Sequence, residues 1–202
     1  VAVPAQARGG DNTLPRLDPG QSLGVALDIA VLSNLRDVGG YPAGEGATVA
    51  RGLVYRSNTF NPMRPEDIEK LERLGLKNNY DLRTNAEVKA KPDQMPPGVR
   101  YHQLDVLADA KSNAAARIEA LLRDPKKANA ELGGGKIEAL FKKGYREFIS
   151  LPSARSAYRS LFLALADRSR LPAVFHCTTG KDRTGWAAAA LLSLLGVPRD
   201  EV

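Results

Sequence analysis

"AVFHCTTGKDRTGWAAAALLSLLG", residues 173–196, holds the only cysteine of the 202-residue chain. "LPAVFH" (171–176) before it reads as a buried strand. Thr184 to Leu195 after it reads as a helix closed by Gly196. A strand that runs through a short loop into a helix aims a row of backbone N–H groups and a helix N-terminus at one point. Such a point binds an anion, phosphate above all. The same dipoles favour a thiolate over a thiol, so a cysteine at this place is seated for reactivity. Arg183, six residues after Cys177, is close enough to fold back over the loop, and its planar fork matches two phosphoryl oxygens. A nucleophile, a cradle of donors and a bidentate cation together make a phosphoryl-transfer site.

Outward from this loop, strand and helix signals alternate. "VARGLVYRSN" (49–58) looks like a strand ending in a polar loop. In "RPEDIEKLERLGL" Pro65 suits a first helical turn, Ile68, Leu71 and Leu74 share a face, and Gly75 ends the helix. "KNNYDLRTNAEV" reads as a strand entering a helix, with Thr84 and Glu87 at capping-box spacing. "GVRYHQLDVLADA" (98–110) is a short strand and an acidic loop, and "SARSAYRSLFLALAD" (153–167) is an amphipathic helix. The alternation predicts an α/β domain over 23–202 whose mostly parallel central sheet is flanked by helices. Residues 1–22, rich in Pro, Gly and Gln, read as a flexible arm. Residues 112–150 read as helices split by Gly133-Gly134-Gly135; they interrupt the alternation and are a candidate lid. Asn78 and Asn79, where strands usually carry apolar residues, predict an edge-like or locally altered strand.

Composition narrows the partners. One Cys excludes an internal disulfide and a Cys-based zinc pattern, and two His, His102 and His176, argue against a histidine-rich metal site. No metal and no cofactor is expected. A formal charge of +6 favours an anionic partner, but no basic stripe with interleaved aromatics points to nucleic acid. No apolar run approaches the roughly 18 residues of a membrane span. Ala5-Gln6-Ala7 resembles the end of a secretory leader, which predicts a periplasmic or secreted location over a cytoplasmic one.

"HCTTGKDRTG" is similar to the H-C-x5-R-[ST] signature of the cysteine-dependent protein tyrosine and dual-specificity phosphatases. Its Gly180-Lys181-Asp182-Arg183-Thr184-Gly185 resembles a bacterial subgroup typified by mycobacterial protein tyrosine phosphatase B. "SNLRDVGGY" (33–41), "GLVYRSN" (52–58) and "YDLRTNAEV" (80–88) resemble the subgroup's earlier motifs in the same order. The resemblance implies Cys177 as a nucleophile that forms a phosphocysteine, with Arg183 binding phosphate and His176 orienting the loop. It implies Thr184 as a donor to the departing sulfur, and Thr178, Thr179, Gly180, Lys181, Asp182, Arg183 and Thr184 as the substrate-binding loop. It also places Asp81 and Asp182 in the site, either one as the general acid; Asp105 and Asp109 in the acidic loop are further candidates, since the chain has no Trp-Pro-Asp. Phosphoinositide phosphatases of the superfamily also carry a Lys in this loop, so phosphorylated proteins and phosphoinositides are both implied as substrates. A nucleotide-binding Walker loop does not fit, because Asp182 stands where Ser or Thr should follow the lysine. A rhodanese-like sulfur transferase fits less well, given the His-Cys opening and the Arg-Thr-Gly close. A phosphate-recognising module with little turnover is the competing class. The subgroup continues with more helices beyond "GVPRDEV", so the chain is expected to be incomplete at its C-terminal end.

Overall fold

The strand expected before the cysteine becomes the middle of the sheet in the computed structural model, which describes residues 2–3, 23–24, 26–110 and 136–202. In chain order the strands are β1 Ala2–Val3, β2 Arg36–Asp37, β3 Thr48–Val49, β4 Val54–Ser57, β5 Asn78–Asp81, β6 Arg100–Gln103 and β7 Ala173–His176. The helices are α1 Pro65–Glu72, α2 Asn85–Ala90, α3 Lys136–Ser150, α4 Pro152–Ala166 and α5 Asp182–Leu194. The main sheet has the order β2-β4-β7-β5-β6. β2 pairs antiparallel with β4, while β4, β7, β5 and β6 run parallel, so the sheet is mixed with one antiparallel edge. β1 and β3 form a separate antiparallel pair.

All four residues of β7 are buried, as a central parallel strand covered on both faces requires. Side chains alternate across the pleat. Ala173 and Phe175 pack with Tyr158, Leu161 and Leu165 of α4 and with Ala187, Leu191 and Leu192 of α5. Val174 packs on the opposite face with Leu32, Leu35, Phe60 and Leu71. The α4 face follows from its spacing: Ala154, Ala157, Tyr158, Leu161, Ala164 and Leu165 recur every three or four residues and are buried. A fully buried leucine such as Leu161 contributes about 2 kcal/mol.

Register places the chemistry. Ser57 and Asp81 both pair with His176, so β4, β7 and β5 end level with one another. The three loops that leave these ends touch one another at the C-terminal edge of the sheet, through Thr59 N to Thr178 O and Arg183 to Glu87, and this is the edge where open α/β sheets bind ligands.

Two expectations are corrected here. β5 is an interior strand between β7 and β6, not an edge. Its asparagines are buried with partners: Asn78 donates to Arg170 O at 2.7 Å and lies 2.8 Å from His102 Nε2, and Asn79 donates to Asp93 at 2.9 Å while its Oδ1 has no partner among the described residues. The helix after the cysteine begins at Asp182, two residues before the expected start, which puts Arg183 in its first turn. Most of the arm beyond Ala2–Val3, and residues 111–135, which hold the triple glycine and the first part of the lid expected over 112–150, lie outside the described residues. Among the described residues no helix is long and apolar enough to cross a membrane.

Candidate active site

Cys177 follows directly on β7 and is buried. Three successive carbonyls of the loop are each tied down from outside. Thr59 N donates to Thr178 O at 3.1 Å, Asn34 Nδ2 to Thr179 O at 2.7 Å, and Arg56 Nη2 to Gly180 O at 2.8 Å. In a tight loop, carbonyls pulled outward leave the peptide N–H groups turned inward, which is the arrangement of an anion nest. Asn34 is itself held by Asn58 Oδ1 at 3.1 Å and accepts from Arg36 at 2.9 Å. The motifs at 33–41 and 52–58 are thus the brace of the cysteine loop. Gly180 has φ +71, and a Cβ there would stand 2.4 Å from Ser57 O, so this position takes only glycine.

Arg183 is 6% exposed and is gripped end-on by Glu87: Nη2 donates to Oε1 at 2.6 Å and Nη1 to Oε2 at 2.9 Å. Nη1 also reaches Leu82 O at 3.3 Å. The Nε–H and the second Nη2–H are left without a partner among the described residues, and they form one edge of the guanidinium plane. That edge matches two oxygens of a phosphoryl group. Burial works against the charge of Arg183, yet Glu87 and the neighbouring Cys177 raise it overall. Burial likewise pushes the Glu87 carboxyl up, but Arg183, Thr178 and the Thr84 backbone outweigh it and hold it at about 2. Thr178 Oγ1 donates to the same carboxylate.

The capping box is present, with Thr84 Oγ1 accepting from Glu87 N at 3.3 Å and Glu87 Oε2 accepting from Thr84 N at 2.9 Å. Glu87 therefore serves two purposes, of which the sequence pattern suggested only the cap. Its place one turn beyond the end of β5, at the ligand edge of the sheet, is the signal for the second.

The remaining expected residues divide. His176, Thr184 and Arg183 are buried around Cys177, and Thr184 Oγ1 has no hydrogen-bond partner among the described residues. Thr178 and Asp182 are partly buried, and Thr179 and Lys181 are exposed. Asp182 accepts a hydrogen bond from Tyr145 of α3, so the described part of the expected lid does touch the loop. That bond, with burial, raises the Tyr145 hydroxyl to about 12. Asp81 is 0% exposed and closed in by Arg83, whose Nε and Nη2 donate to it at 2.8 and 2.6 Å, and by Tyr101 at 2.9 Å. It lies behind His176, at 3.7 Å, rather than at the mouth. Asp109 accepts from Ser153 N at 2.7 Å in the first turn of α4, a capping contact. Asp105 accepts from Leu107 N at 2.9 Å and Asn85 N at 3.3 Å, while burial pushes its carboxyl up.

Asp81, Asp93 and His176 present ligand-type atoms within 4.8 Å of one another. Arg83 Nη2 already lies 2.6 Å from Asp81 and 2.9 Å from Asp93. The guanidinium supplies the positive charge a metal would bring, and the cluster is a closed ion network.

The two depressed carboxylates give a pH signature. Burial raises Asp93 as well, but His176, Arg83 and Asn79 bring it down to about 2. Groups held below their unfolded values stabilise the fold fully above the unfolded carboxylate range, about pH 5, and lose that contribution as pH falls toward 2. Each contributes on the order of 2 kcal/mol. Urea unfolding of the parent and of Glu87→Gln should diverge with rising pH between 2 and 5. A difference independent of pH over that window would contradict the assignment.

Comparison with known proteins follows the same division. The model of a tyrosine phosphatase family matches residues 27–202. A Cupriavidus necator protein assigned as a tyrosine-protein phosphatase is 31% identical over 177 residues, covering 87% of this chain and 60% of the relative. The triple specificity protein phosphatase PtpB of Mycobacterium tuberculosis is 30% identical over 183 residues, covering 84% and 63%. A tyrosine-protein phosphatase of Nostoc commune is 26% identical over 163 residues, covering 80% and 49%. This chain thus spans about half to two thirds of the length of these relatives. The family match runs through the brace motifs, the Glu87 helix and the whole cysteine loop, and the chain belongs to the tyrosine phosphatase family.

Proposed function

We propose that the chain is a cysteine-dependent phosphatase that hydrolyses phosphotyrosine and also accepts other phosphate monoesters, phosphoinositides among them. The observation that carries this is the braced loop: three outward carbonyls around Cys177, with the open edge of Arg183 beside them. The loop N–H groups and Arg183 hold the three non-bridging oxygens. The Cys177 thiolate attacks phosphorus, the S–P bond forms and the bond to the leaving oxygen breaks. Asp182 is the general acid on this reading. Its Oδ1 is occupied by Tyr145, which leaves Oδ2 to carry the proton to the leaving oxygen. Water then attacks the phosphocysteine, giving its proton to Asp182 as the S–P bond breaks and inorganic phosphate leaves. Thr184, with an unpartnered buried hydroxyl, donates to the sulfur at that step. Asp81 supports Arg83 and His176 from behind and takes no proton in this scheme.

Lys181 supports the wider substrate range. It is exposed at the mouth and forms no ion pair with any described residue, so it is available to a second phosphate on the substrate. The relative named as a triple specificity phosphatase fits such breadth. The test is phosphate release from a phosphotyrosine peptide beside a panel of phosphoinositides at fixed ionic strength. Turnover of both is expected, with Lys181→Ala reducing the phosphoinositide rate several-fold more than the peptide rate. Equal losses would make Lys181 a general loop residue. Binding without any turnover would favour the recognition module instead.

A further inference from the structure

We propose that Asp93 is a positioning residue of this site, holding the ring of His176 as an imidazolium against the backbone of Cys177. Asp93 belongs neither to the cysteine loop nor to any motif quoted above; it comes from "AKPDQ" after α2. Its side chain is 2% exposed, and its carboxylate lies 2.8 Å from Nε2 of His176. The other ring nitrogen, Nδ1, is 3.1 Å from Cys177 O. A carbonyl oxygen only accepts, so Nδ1 carries a hydrogen. Asp93 is also an acceptor only, since Arg83 at 2.9 Å and Asn79 at 2.9 Å both donate to it. At 2.8 Å a bare Nε2 lone pair would face a carboxylate that itself only accepts, so Nε2 is assigned a hydrogen too. The Asp93 contact is bent away from the ring N–H direction, so its attraction is that of an ion pair more than of a straight hydrogen bond.

The surroundings fix this arrangement. His176 is 0% exposed, so bulk water does not compete for the ring. Phe60 packs edge-on against it, with centroids 5.2 Å apart. Asp93 accepts in turn from Phe60 N at 3.2 Å and Thr59 Oγ1 at 3.3 Å, which joins it to the segment that braces Thr178. The charges alternate through the network as Asp81, Arg83, Asp93 and His176, and they sum to zero. His176 is the member of this network that lies against Cys177. Arg56, Arg183 and Tyr158 also act electrostatically on Cys177 from β4, α5 and α4. They stay in place when Asp93 is changed, so a comparison of variants isolates its part.

The importance of this device for catalysis rests on Cys177 being the nucleophile, but its test needs no turnover. Iodoacetamide labels the chain's only cysteine, and the pH dependence of the labelling rate reads the ionisation of the thiol. Asp93→Asn should move the midpoint upward by about one pH unit, and His176→Gln by a comparable amount. The double variant should move it no further than the larger single change, because Asp93 acts through His176. An unchanged midpoint in Asp93→Asn, or shifts that add in the double variant, would overturn the proposal. Should Asp93→Asn fail to fold, the unaltered chain carries a second test. His102 and His176 are its two histidines, and nitrogen-15 NMR near neutral pH should find both nitrogens of His176 protonated. A His176 ring with one bare nitrogen would overturn the proposal equally. The expected midpoint shift without phosphate release would sink the hydrolase reading and leave this one standing.

Discussion

Replacing Cys177 by serine should reduce phosphate release from a phosphotyrosine peptide by about a thousandfold or more. The hydroxyl occupies nearly the same space, so the loop's outer brace stays intact. What is lost is the proposed nucleophile itself, since a serine hydroxyl is far less acidic than a thiol and stays protonated. Arg183 and the inward N–H groups remain, so binding of a non-hydrolysable phosphate analogue should change by less than about threefold. Isothermal titration beside a release assay separates the two quantities. Undiminished turnover in Cys177→Ser would remove the proposed mechanism. Loss of analogue binding in step with turnover would mean that the loop had collapsed.

Arg183→Lys is the second substitution with a large expected effect. The guanidinium uses both terminal nitrogens on Glu87 and leaves Nε and the remaining Nη2–H, without a partner among the described residues, for the proposed phosphoryl group. An ammonium is a point charge at the end of a flexible stem and serves only one side at a time. Loss of one well-aimed oxyanion donor costs about 3 kcal/mol, a factor of about a hundred or more in kcat. The buried Glu87 carboxylate would also lose its planar partner, so a stability loss should accompany the kinetic one. Near-normal kcat/KM in Arg183→Lys would show that charge alone suffices and that the fork is immaterial.

Much of this site was legible in one short stretch. A buried strand, a loop with glycine and a helix are local patterns, and together they implied the nest at Cys177 and the reach of Arg183. The family motifs at 33–41 and 52–58 were legible as motifs only. That Asn34, Arg56 and the Thr59 backbone brace successive loop carbonyls depends on β4 pairing with β7, a contact between residues more than a hundred positions apart. Glu87 matched a capping box and satisfies it, which concealed its hold on Arg183. Asn78 and Asn79 suggested an edge because a lone buried amide is costly. Their partners, Arg170, His102 and Asp93, come from three separate segments, so no local window contains the compensation. Asp81 was read as a candidate acid, and it is completely buried in an ion pair with Arg83. Asp93 had no pattern of its own, since its meaning comes wholly from His176.

The central claim is that phosphate passes through the sulfur of Cys177. The most direct measurement is rapid acid quenching during turnover of a phosphotyrosine peptide, followed by mass spectrometry of the protein fragments. The account predicts one phosphoryl group on the fragment that contains Cys177, appearing before inorganic phosphate and absent from Cys177→Ser. Steady release of phosphate with that fragment unmodified throughout, or with the phosphoryl group on another residue, would contradict it.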